Sequence, residues 1–110
     1  MTSDTAIARS TTVGFVIIGR NEGARLETCI DSVLKHSQIV VYVDSGSRDN
    51  SVRLACKFGL PVIELDTSRP FTAARARNAG FAWIRRHHAD LAYVHFIDGD
   101  CELIDGWLAM

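Results

Sequence analysis

Asp98 and Asp100 stand on either side of a single glycine, directly after the apolar pair Phe96-Ile97. Two carboxylates at that spacing, released where a buried strand meets solvent, can hold a hard divalent cation, and the cation can clamp a diphosphate. In an open parallel sheet the crevice beyond the carboxyl ends of the strands is where ligands bind, so the place suits the chemistry. A plain Asp-Gly turn has the same composition. Further polar groups gather in Arg20-Asn21-Glu22 and in Asp44-Ser45-Gly46-Ser47. Arg75, Arg77 and Asn78 follow in the early turns of a later helix, where an arginine guanidinium could pair with a phosphate. Arg85 and Arg86, a few residues on, read as a solvated basic face.

The elements that position these groups alternate between strand and helix. Val13 to Ile18 and Ile39 to Val43 are short apolar runs rich in branched residues, the pattern of strands buried on both faces. Between them Leu26, Cys29, Ile30, Val33 and Leu34 recur at helical spacing, which predicts an amphipathic helix to about Lys35. After the second strand, Ser47 is a good N-cap, and Val52, Ala55 and Cys56 form the apolar face of a helix stopped by Gly59. Pro61 to Leu65 predicts a third strand. Thr72 to His88 predicts a third helix with Ala73, Ala76, Gly80, Trp83 and Ile84 inward, and Leu91 to Ile97 a fourth strand. The alternation implies an α/β domain, an open, mainly parallel sheet flanked by helices. The loops after strands one, two and four then open on one edge, with acceptors for base and ribose, a helix N-terminus and a metal site, as a nucleotide pocket requires.

The ends of the chain carry their own expectations. Residues 1–12 are small and polar, without the charged and apolar segments of a secretory signal, and read as a flexible tail. Residues 13–110 form the domain. Leu103, Trp107 and Leu108 look like the apolar face of a fourth helix capped by Asp105, with Glu102 at its entrance. Because that helix stops at Met110 without a C-terminal cap, the chain reads as the first half of a longer protein. The exposed edge and apolar face predict dimerisation or aggregation.

Composition excludes several classes. With 110 residues the chain is one domain at most. Charged residues make up 23% and the net charge is -1, which gives no electrostatic footprint for nucleic acid or an anionic membrane. No apolar run approaches a membrane span. Cys29, Cys56 and Cys101 are odd in number and lack a Cys-x-x-Cys pair, so they read as core thiols of a cytoplasmic protein. His87 and His88 point to different sides of a helix, and His95 lies within a strand as a packed or hydrogen-bonded residue.

Taken in order, Val-Ile-Ile-Gly-Arg-Asn-Glu, Val-Asp-Ser-Gly-Ser-Arg-Asp, Ala-Arg-Asn-Ala-Gly and Phe-Ile-Asp-Gly-Asp resemble the nucleotide-sugar-binding half of family 2 glycosyltransferases, which have the GT-A fold. The resemblance runs from about Val13 to Met110. It implies transfer of a sugar from a nucleotide-diphosphate sugar to an acceptor hydroxyl, with Mg²⁺ or Mn²⁺ bridging the diphosphate. Asp98-Gly99-Asp100 would be the metal-binding Asp-x-Asp, with Asp100 the direct ligand and Asp98 facing ribose and diphosphate. Asp44 would recognise base or ribose, Arg20 and Glu22 would contact the nucleotide, and Arg77 would lie near it.

Two departures matter. Ser45 stands where many relatives carry a second acid, which leaves the choice of UDP, GDP or dTDP open. No segment matches the later carboxylate that relatives use as general base in an inverting displacement. Neither Glu102 nor Asp105 is assigned that role, so the chain is expected to supply the donor site and not the acceptor half. Among other functions, a sugar-phosphate nucleotidyltransferase would carry a basic glycine-rich loop where Glu22 stands. A dinucleotide-dependent oxidoreductase would need G-x-G-x-x-G spacing that Gly14, Gly19 and Gly23 do not give. A non-catalytic nucleotide-binding or interaction fragment would be indifferent to loss of Asp98 and Asp100.

Overall fold

A computed structural model describes residues 13–104. Four strands, β1 (Val13–Gly19), β2 (Val40–Asp44), β3 (Val62–Glu64) and β4 (Tyr93–Asp98), alternate with helices α1 (Ala24–Leu34), α2 (Ser51–Lys57) and α3 (Ala73–His87). Every pairing is parallel and the strand order is β3-β2-β1-β4. The open α/β sheet implied by the sequence is the fold. Chain order runs outward from β1 through β2 to β3, then returns to place β4 on the other side of β1. That reversal opens a crevice between the carboxyl ends of β1 and β4, the usual ligand position in such sheets.

Both faces of the sheet are covered, which explains why β1 and β2 read as continuous apolar runs. Phe15, Ile17, Val40 and Tyr42 pack toward Leu26, Cys29, Ile30 and Val33 of α1, with Ala55 of α2. The alternate residues Val16, Ile18, Val41 and Val43 pack against Ala76 and Ile84 of α3. Gly80 lets α3 lie close to the sheet, because a Cβ there would come within 2.3 Å of Val16 Cγ1. Thr72 caps α3, its hydroxyl accepting from the Arg75 N–H at 3.0 Å. Among the described residues no helix is long and apolar enough to cross a membrane.

Several expectations are corrected. Ser47 does not cap α2: the helix starts at Ser51, whose N–H donates to Asp49 Oδ1 at 2.9 Å, while Ser47 is drawn back to the buried Asp44 carboxylate. The inward side of this short helix is Ser51 and Ala55, with Leu54 and Phe58 against the core, so Cys56 is exposed. Cys101 is exposed as well, and only Cys29 is a core thiol; burial pushes its thiol up to about 12. Ala73 is exposed, because α3 reaches the sheet only from Ala76 onward.

Among the described residues β4 is an edge strand and not a buried one: Tyr93 is 71% exposed and Phe96 37%. Leu103 belongs to no helix and no exposed face. It is buried on the α1 side, and its N–H donates to Ser32 Oγ at 2.9 Å. The tail at 1–12, Asp105, Trp107 and Leu108 lie outside the described residues.

His95 packs edge-on against Phe15, with ring centroids 5.4 Å apart. Burial holds its imidazole below the ordinary value of 6.5. Since the folded state favours the neutral ring, its contribution to stability is complete above pH 6.5 and is lost as pH falls through the lower folded-state value. The expected result is a larger fall in urea midpoint between pH 7.5 and about 5 for the native chain than for His95→Gln. Equal falls in the two proteins would show that His95 does not titrate against folding.

Candidate functional site

The site grows from three strand ends. Beyond β4, the Gly99 N–H donates to the Ile18 carbonyl at 2.8 Å and the Cys101 N–H to the Asp98 carbonyl at 3.0 Å. These bonds continue the ladder for one residue and then turn the chain, leaving Asp98 and Asp100 exposed on the two sides of a buried glycine. The ligand atoms of Asp98, Asp100 and Cys101 all lie within 4.8 Å of one another. Loss of hydration and the neighbouring Asp100 carboxylate push the Cys101 thiol up, which leaves the two carboxylates as the oxygen donors of the set. Such a set fits a hard cation, Mg²⁺ or Mn²⁺, better than a thiolate-seeking one.

The loops after β1 and β2 are stitched to each other. Asn21, with φ 55°, donates its N–H to Ser47 Oγ at 2.8 Å and accepts from the Arg48 N–H at 2.7 Å. The Ser45 N–H donates to the Gly19 carbonyl at 3.0 Å. Asp44 holds the second loop from beneath: at 2% exposure it accepts from the Tyr42 hydroxyl, the Ser47 hydroxyl and the Ser47 N–H. Burial and the bond to Asp44 push the Tyr42 phenol upward, so Tyr42 is a permanent donor to that carboxylate.

A cavity of about 370 Å³ opens among these loops, lined by Arg20, Glu22, Ser45, Phe71, Asp98 and Asp100, with Thr72, Ala73 and Ala76 of the α3 start forming another wall. Four of the six expected site residues, Arg20, Glu22, Asp98 and Asp100, therefore share one space. Asp44 and Arg77 do not line it. Asp44 is buried with both oxygens engaged, and Arg77 is exposed on α3 beside the lining residue Ala76.

Arg75 lies elsewhere too, its guanidinium donating to the carbonyls of Asp66, Arg69 and Pro70 at 2.7, 3.0 and 3.1 Å. It braces the loop before α3. A larger opening of about 700 Å³ is lined by Asp66, Arg69, Arg75 and Asn78. Arg75 is committed to carbonyls there and Asp66 to the Ser68 N–H and hydroxyl, so this opening offers less free chemistry than the first.

Phe71 is a residue that the sequence did not single out, and Asn21, noted there only as part of a polar loop, gave no sign of the bonds it makes across loops. An apolar residue just before a helix cap signals only a packing contact with the first turns. Asn21 sits in a loop where asparagine is ordinary, and nothing local marks its cross-loop bonds.

Residues 15–110 match the family model described as Glycosyl transferase family 2. None of the curated proteins compared matches the chain.

Proposed function

The chain belongs to glycosyl transferase family 2, and from that premise we propose that its carboxyl-edge cavity is the donor site of a metal-dependent, inverting sugar transfer from a nucleotide-diphosphate sugar. The observation that carries this reading is the shared cavity, where an arginine, a helix N-terminus and the Asp98-Asp100 pair line one space of about 370 Å³. A diphosphate needs cationic and N–H partners on one side and a metal on the other, and few other ligands need both.

Asp98 and Asp100 are the residues that would hold the cation. When bound, Mg²⁺ or Mn²⁺ supplies positive charge against the diphosphate as the bond to the sugar breaks. Arg20 donates to phosphate oxygens. The first turn of α3, whose leading N–H groups have no partner within a helix, places its positive end toward the same anion. Glu22 accepts from ribose hydroxyls. Asp44 serves the site through the loop it fixes, and the cationic role falls to Arg20, which lines the cavity, in preference to Arg77, which does not. No described residue is assigned as the base that takes the acceptor's proton.

Calorimetric titration of UDP, GDP and dTDP with Mn²⁺, and again with EDTA, tests the reading. Binding of one nucleotide is expected with metal and to weaken at least about tenfold in EDTA or in Asp100→Ala, since a metal-bridged diphosphate contributes well over 1.4 kcal/mol. Binding that ignores both EDTA and Asp100→Ala would refute the metal-dependent site. NAD binding in its place would favour an oxidoreductase.

A further inference from the structure

Three loops meet on one aromatic ring. Phe71 lines the cavity, and the guanidiniums of Arg20 and Arg75 each lie 5.6 Å from its ring centroid. Gly46, with φ 82°, approaches the same ring so closely that a Cβ there would come within 2.9 Å of it. Phe71 thus touches the loop after β1, the loop after β2 and the first turn of α3.

Two of these three partners are fixed by other bonds. Arg75 is tied to three backbone carbonyls. Gly46 lies between Ser45, bonded to Gly19, and Ser47, bonded to Asp44. Among the described residues, Arg20 has only the ring. It makes no hydrogen bond or ion pair among the described residues, and the acid two positions on, Glu22, pairs with Arg25 at 3.2 Å instead. An exposed arginine has many rotamers and loses that freedom on binding an anion. Contact with an aromatic face restricts it beforehand while leaving the N–H donors on its edge unused.

We propose that Phe71 is a positioning residue that holds the Arg20 guanidinium at the cavity for the phosphate oxygens of a nucleoside diphosphate, an inference that rests on the donor-site reading. The ring takes one side of the guanidinium, and the diphosphate takes its N–H edge. Because Arg75 braces the segment carrying Phe71, the loop before α3 controls a cation that belongs to the loop after β1. The ring itself touches no phosphate; its effect passes through Arg20.

The test is a double-mutant cycle read by calorimetry with UDP, GDP and dTDP in Mn²⁺, comparing the native chain with Phe71→Leu, Arg20→Ala and the double variant. Phe71→Leu is expected to weaken nucleotide binding about threefold to tenfold, the range of a cation–π contact converted to affinity. Phe71→Tyr, which keeps the ring, is expected to restore it to within about twofold. On the Arg20→Ala background Phe71→Leu is expected to add nothing, because its route is already gone.

Equal losses from Phe71→Leu with and without Arg20 would overturn the positioning role while leaving the donor site intact. Absence of nucleotide binding by the native chain would sink both. If Phe71→Leu does not fold, the cycle is run with Phe71→Tyr and Phe71→Trp, and the Arg20 side-chain N–H resonance is followed as a direct report. A ring-current shift that differs between these rings and moves on nucleotide addition supports the contact; a shift indifferent to both overturns it.

Discussion

Gly80→Ala lowers the unfolding free energy by about 2 kcal/mol, when the overpacking cost is set against the gain in helix propensity. The added Cβ would lie 2.3 Å from Val16 Cγ1 and 3.1 Å from both Val16 Cγ2 and Val43 Cγ2. These atoms belong to β-branched side chains with no exposure, so there is no rotamer into which they can retreat. Overpacking of this kind costs about 1–3 kcal/mol and sometimes more, whereas alanine gains at most about 1 kcal/mol over glycine in a helix. The clash wins. Relief requires α3 to lift from the sheet, which also withdraws Ala76 and Ile84 and moves the cavity wall at Thr72 and Ala73. Urea unfolding checks this, with the exposed Ala82 position as a control that tolerates substitution. A Gly80→Ala variant as stable as the native chain would mean that α3 does not sit this close.

Asp44→Ala is expected to cost about 3 kcal/mol, since it removes a hydrogen-bonded charge and leaves buried donors without acceptors. The Tyr42 hydroxyl, 2.6 Å from Asp44 Oδ1, is fully buried and has no solvent route to compensation. The Ser47 hydroxyl and N–H lose their acceptor too, and with Ser47 goes the anchor of the Asn21 N–H. Stability and nucleotide affinity are therefore expected to fall together. Adding Tyr42→Phe to Asp44→Ala should recover part of the stability, because it removes the orphaned hydroxyl. A variant of native stability that had lost nucleotide binding would contradict this account and return Asp44 to the direct contact implied by the family resemblance.

The contrast between Asp44 and Asp98 shows what the sequence carries and what it leaves out. Both are acids at strand ends, and periodicity placed both at the carboxyl edge of the sheet. Whether such a carboxylate faces a ligand or the protein depends on the donors that reach it. For Asp44 those donors are Tyr42, two residues back on the same side of β2, and Ser47 in the following turn. The period-two relation of Tyr42 and Asp44 is visible in the sequence, but the burial that gives it force comes from α1 and α2.

Phe71 is harder still. Its partners Arg20 and Gly46 are far away in the chain, and only the folded sheet brings them to one ring. The strands and long helices were legible because apolar period reports burial directly. The face of α2 was not, since two turns of helix give too few apolar positions to fix its rotation. Cys56 read as buried because it was placed on the apolar face of that helix, and Cys101 because the cysteines lack a pairing pattern, yet both are exposed.

The placement of β4 sets a thermodynamic condition on the whole site. Asp98 ends a strand that, among the described residues, is bonded on one side only, to β1. The Gly99 N–H to Ile18 bond is the last rung holding the acidic turn. Opening that end breaks this rung, the Cys29 thiol's bond to the Asp98 carbonyl and, further on, the Leu103 bond to Ser32, so it is a local event that costs less than global unfolding. If the cavity is the donor site, nucleotide affinity scales with the fraction of molecules in which the rung is closed, and any contact that secures the outer side of β4 would raise affinity for a ligand it never touches.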